Sequence, residues 1–88
     1  MNDEILHERV MVVTVFAPGL NPCRPIKFKR HNGREIMITE IGLVHPKNDG
    51  IKTRHVFDVT DGAADYRLEF DSLTLTWYLT FIGDRYNL

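Results

Sequence analysis

The side chains with reactive or ligating chemistry are Cys23, the histidines His7, His31, His45 and His55, and the carboxylates Asp58, Asp61, Asp65, Glu69 and Asp71. Cys23 stands in Pro22-Cys23-Arg24-Pro25, where the neighbouring Arg24 favours a thiolate. A nucleophile also needs a base, and this tetrapeptide carries no family nucleophile signature, so Cys23 reads as a small buried hydrophobe. The histidines stand singly, without the short paired spacing of metal ligands, so no metal site and no cofactor are expected. Asp65, Glu69 and Asp71 share the outward parity of one strand, and Asp61 is a turn residue; they form a solvated face rather than a carboxylate pair in a cleft. The glycines are scattered as punctuation, with no phosphate-cradling loop. The chain is therefore expected not to be an enzyme; a deep pocket holding His45 or His55 beside Asp58 is what would reverse that expectation.

The charges are unevenly distributed. The formal net charge is -1. From Arg24 to Arg54, however, eight basic residues meet only Glu35, Glu40 and Asp49, a net of +5, and the remainder carries -6. Lys27, Lys29, Arg30, Arg34, Lys52 and Arg54 are the candidate nucleic-acid contacts, since clustered cations attract phosphate without regard to sequence. The competing reading makes them the solvated face of two strands, paired across the sheet with acids such as Asp65 and Glu69. No aromatic residue lies among them to stack on bases; Tyr78, on the outward parity of the last strand, is the best stacking residue elsewhere.

These residues must be positioned by strands. Leu73, Leu75, Trp77, Leu79 and Phe81 alternate with Thr74, Thr76, Tyr78 and Thr80, and Tyr66, Leu68 and Phe70 alternate with acids and Arg67. Phe57 and Val59 mark an earlier strand, closed by Asp61-Gly62, and Ile26 and Phe28 another, followed by Asn32-Gly33, the preferred pair of a two-residue hairpin. A long strand from about Arg34 to Val44 changes phase between Ile38 and Ile41, which predicts a bulge or bend at Glu40 or Gly42 that lets one strand serve two halves of a barrel. Pro46 to Gly50 reads as a loop. The first strand, about Arg9 to Phe16, is apolar on both parities: Val10, Val12 and Phe16 on one, Met11, Val13 and Val15 on the other. The fold class is thus all-β, about six antiparallel strands in a meander forming a small SH3-like or OB-like partly open barrel. The 88 residues make a single domain, with residues 1–8 a flexible N-terminus.

From Pro25 onward the pattern Pro25-x-x-Phe28, Gly33-Arg34, Ile38-x-Glu40-Ile41, Arg54-x-x-Phe57-x-Val59, Gly62, Tyr66-x-Leu68, Asp71 and Thr76-Trp77-x-Leu79 resembles small bacterial β-domains of uncharacterised function. Related-looking domains stand alone or as C-terminal tails of Y-family-polymerase-like DNA-repair proteins. The resemblance implies the β-meander and a bacterial origin, carries over no catalytic residue, and adds to the nucleic-acid reading. The chain departs from it in having Gly42-Leu43-Val44-His45-Pro46 where those domains carry tryptophans, and in its apolar first strand.

The acidic start is neither a secretory nor a transit leader, the apolar run at Val10 to Ala17 is too short to span a bilayer, and a lone cysteine fits the cytoplasm. The expected role is a non-catalytic module for protein–protein contact or self-association. Its association surface is Met11, Val13 and Val15, the partner is a homodimer copy or another protein, nucleic acid is the alternative, and no membrane is involved.

Overall fold

The computed structural model describes residues 3–50 and 52–84, except for the side chains of Asp49 and Lys52. Seven strands run β1 (Glu4–Phe16), β2 (Cys23–Lys29), β3 (Glu35–Met37), β4 (Glu40–Asp49), β5 (Lys52–Thr60), β6 (Ala64–Asp71) and β7 (Thr76–Asp84), with no helix among the described residues. They form one sheet in the order β3-β2-β1-β7-β6-β5-β4, antiparallel at every pairing.

That order places β3 and β4 at opposite edges, yet only Ile38 and Thr39 join them. At 3.8 Å per residue the link spans at most about 11 Å, so the two edges must curl toward each other. The backbone shows the handover directly. The Ile38 N–H donates to the Ile26 carbonyl at 2.9 Å, and the Thr39 N–H to the Thr60 carbonyl at 2.8 Å. Consecutive residues thus bond to opposite sides of the curl. Taken around the barrel, the strands follow chain order, with β3 and β4 as two halves of one bent strand. The expected six-strand meander and its mid-strand break are both present, counted as seven strands because the bend divides one of them. A register shift between Ile41 and Val44 adds the bulge.

Inside lie Val10, Phe28, Ile36, Phe57, Val59, Tyr66, Leu68, Trp77 and Leu79. Phe28 meets Tyr66 edge-on at 5.3 Å between centroids, and Trp77 tilts against Phe70 at 4.8 Å and Phe57 at 5.3 Å. Burying each of these side chains contributes roughly 1.5–3 kcal/mol before the entropy of ordering it is charged.

Several expectations are corrected. Residues 46–49 are strand, not loop: Pro46 is tolerated because β4 is an edge strand, so no ladder partner is lost. Leu73 and Leu75 do not continue the inward row. They belong to the β6–β7 turn and are exposed, because Asp71 Oδ1 accepts the N–H groups of Leu73 (2.9 Å) and Thr74 (3.2 Å) and breaks the alternation. The first strand starts at Glu4, so residues 4–8, expected to be flexible, pair with β7; Met1 and Asn2 lie outside the described residues. The Asn32-Gly33 hairpin is not the two-residue type. The Gly33 N–H bonds the Arg30 carbonyl, the Arg30 N–H bonds the Arg34 carbonyl, and only Gly33 takes positive φ, +90°, which is a turn followed by a glycine bulge.

Candidate interaction surfaces

Antiparallel order gives the barrel two ends. One gathers the start of β1 and the β2–β3 and β5–β6 turns; the other gathers the β1–β2 loop and the β4–β5 and β6–β7 turns. The first end is tied by polar side chains. Glu8 projects from β1 to the chain leaving β2: Arg30 Nη2 donates to its Oε1 at 2.6 Å, Arg30 Nε reaches both oxygens, and the His31 N–H donates to Oε2 at 3.3 Å. His31 Nδ1 also lies 3.1 Å from that oxygen. The Arg30 hydrogen bonds outweigh the cost of burial and hold the Glu8 carboxyl down to about 2. Asp61 accepts the Ala63 and Ala64 N–H groups on one oxygen and the Tyr66 hydroxyl on the other, which keeps its pKa low against desolvation and raises that of the already buried Tyr66.

The expected association surface lies on the outside of β1. Met11, Val13 and Val15 are 66%, 51% and 38% exposed. The β1–β2–β3 register sets Val13 beside Lys27 and Lys27 beside Met37, and Met11 beside Lys29 and Lys29 beside Glu35. Met37, 56% exposed, therefore extends the apolar patch across the sheet, with lysine stems between. Met37 was not singled out from the sequence; its outward parity opposite Ile36 and Ile38 was the available signal.

The six candidate nucleic-acid contacts do not form one patch. Arg30 is spent on Glu8, and Arg54 lies 3.4 Å from the buried Glu69 and over the Tyr78 ring. Lys27 is 3.7 Å from Glu35. Lys29 and Arg34 are exposed beside the β2–β3 turn, and the backbone of Lys52 opens β5, its side chain lying outside the described residues. The turn region gains a cation not anticipated, Arg9, which with Met11, Lys29, Arg30 and His31 lines a shallow depression. Tyr78 is already stacked on His7, centroids 4.3 Å apart at 10°. Asp58, weighed as an acid partner for a histidine, is instead 2.8 Å from Arg67.

The opposite end has an apolar mouth of about 360 Å³, lined in part by Phe16, Leu20, Cys23, His55, Phe57 and Phe70. Burial raises the Cys23 pKa, which favours the neutral thiol. Among the described residues no cluster of three or more His, Cys, Asp and Glu side chains converges in a way that would hold a metal ion. No family model, curated protein or solved structure matches the chain.

Proposed function

We propose that the chain is a non-catalytic cytoplasmic interaction module that meets another polypeptide, in the first instance a second copy of itself, through the outer face of β1, β2 and β3. The observation that supports this most is the placement of Met11, Val13 and Met37 on one outward face in adjoining strands, exposed rather than turned into the core. A face of this kind in a thin, single-sheet domain favours burial against a partner. Lys27, Lys29 and Glu35 frame it with both signs of charge, which suits a two-fold contact that sets each copy's lysines against the other's glutamate. Sedimentation equilibrium tests the reading. The wild-type chain is expected to show a concentration-dependent dimer, and Val13→Glu a monomer of unchanged fold. A wild-type monomer at high concentration overturns the proposal.

The alternative is nucleic-acid contact, favoured by Arg9 and Lys29 lining one depression at the β2–β3 turn end and by the exposed Arg34 that follows the turn, where no carboxylate ion pair with these three is found among the described residues. The resemblance to repair-protein tails adds to it. It requires retention on DNA or RNA at low salt that falls steeply as salt rises. Equal retention of the Lys29→Gln/Arg34→Gln double variant removes it.

A further inference from the structure

The free strand edges of the barrel are not finished alike. β3 is 3 residues long. β4 carries Pro46, which has no N–H to offer, and Lys47. The start of β2, where β3 no longer reaches, carries Arg24 and Pro25. Short length, charge and proline each discourage a foreign strand from pairing. β1 has none of these. Its register with β7 ends at Val10 and Trp77, because β7 begins at Thr76, yet β1 runs on to Phe16. From Met11 to Phe16 its register is with β2 alone, and no backbone hydrogen bond joins residues 12–16 to the β6–β7 turn among the described residues. Met11-Val12-Val13-Thr14-Val15-Phe16 holds no charge, proline or glycine, and Val, Thr and Phe favour strands. The register shift at Val13 and Thr14 puts its extra residue, Ile26, in β2, so it does not interrupt β1.

We infer that this free edge pairs antiparallel with the same edge of a second copy, a contact that rests on the self-association proposed above and supplies its backbone seam. Being uncharged, the segment brings no like charges together when its partner is itself. A two-fold axis that joins antiparallel strands edge to edge runs perpendicular to the sheet. Both outer faces therefore stay on one side, and one residue must lie opposite its own copy. At the middle of residues 12–16 that residue is Thr14. Val12 then faces Phe16 of the other copy and Val13 faces Val15, so apolar side chains meet on both sides of the sheet. The Thr14 hydroxyl, buried without a hydrogen-bond partner in the single chain, lies one cross-strand step from the same hydroxyl of the second copy, and such Thr–Thr pairs are favourable.

Hydrogen exchange on the full wild-type chain, below and above the dimer midpoint found by sedimentation, tests the seam. The amides between Val12 and Phe16 that do not donate to β2 are expected to slow by about 10-fold or more in the dimer, while those of β4 are unchanged. The Cys23→Ser/Thr14→Cys variant should form a disulfide-linked dimer under mild oxidation, since opposed cross-strand Cβ atoms lie about 4.5–5.5 Å apart. Cys23→Ser/Val12→Cys, whose cysteine faces Phe16 of the other copy, should link at least about 10-fold more slowly. A dimer whose edge amides exchange as fast as the monomer's overturns the seam and leaves the contact through the outer face standing, and so does equal linking of the two cysteine variants. A chain that stays monomeric at high concentration overturns the seam and the self-association together.

Discussion

The two ends of the barrel solve the same problem, how to finish a curled sheet, in opposite ways. At the closed end, Glu8 ties β1 to Arg30 and His31 beyond β2, Asp61 ties its own turn to Tyr66, and the Thr60 hydroxyl donates to the Ala64 carbonyl at 2.6 Å. At the open end, apolar side chains stand in water around a cavity, and the β6–β7 turn holds Leu75 at φ +59°. A barrel edge finished with satisfied polar groups is stable alone. An edge finished with exposed apolar groups and a strained turn gives up stability, and such concessions gather where a surface is used.

The largest effect should come from a change that both ends share. Leu79 is fully buried and sits opposite Leu68 in the middle of the β6–β7 pair. Leu79→Ala should cost about 2–5 kcal/mol, a large part of a small domain's total. Urea unfolding followed by Trp77 fluorescence, toward the open end, and by amide exchange at β5 and β6, toward the closed end, should shift together. Separate transitions would show that the ends are independent units.

Next comes the tie itself. Glu8→Gln keeps the shape and removes the charge, leaving the half-buried Arg30 without its counterion. The expected loss is on the order of 1–3 kcal/mol, roughly 4–20 °C in Tm. The pH dependence has a definite sign. The folded pKa of about 2 lies below the ordinary 4.5, so the native state binds the Glu8 proton less readily than the unfolded chain. The stabilisation is complete above about pH 4.5 and disappears as pH falls through about 2. The gap between parent and Glu8→Gln urea midpoints should close over that window. A gap that stays constant from pH 6 to pH 2 would mean that the carboxylate charge is not what closes this end.

How much of this contrast is legible in the sequence depends on how far apart the partners lie. Alternation at Tyr66, Leu68 and Phe70 needs only local parity, and the phase change between Ile38 and Ile41 announces the bend that divides β3 from β4. The doubly apolar first strand likewise marks Met11 and Val13 as outward. The Glu8–Arg30 tie is invisible, because it joins residues 22 apart through a β1–β2 register that contains a bulge. The same limit leaves Arg30 looking like a free cation, whereas Arg54 meets Glu69, one of the acids that the alternation offers as a cross-strand partner. At Leu73 and Leu75 the pattern misleads for a different reason: the alternation runs on into a turn whose geometry is set by the Asp71 side chain.

That turn offers a smaller test of the open end. A leucine at positive φ costs about 1–2 kcal/mol, of which a glycine recovers all but its greater freedom when unfolded. Leu75→Gly should therefore raise stability by about 0.5 kcal/mol, read as a higher urea midpoint. A lower midpoint would mean that the exposed Leu75 side chain makes contacts in solution that outweigh its backbone strain.

The smallest expected effect separates the ends most sharply. Leu20 is wholly exposed beside the mouth, so Leu20→Ser removes apolar surface from water in both folded and unfolded states and no contact from the fold. Stability should change by less than about 0.5 kcal/mol, the usual range for an exposed site, where Glu8→Gln at the other end costs several times that. A loss of more than about 1 kcal/mol would place Leu20 over the mouth in solution. The β1–β2 loop would then be the cap of this end, and the cavity a closed part of the core.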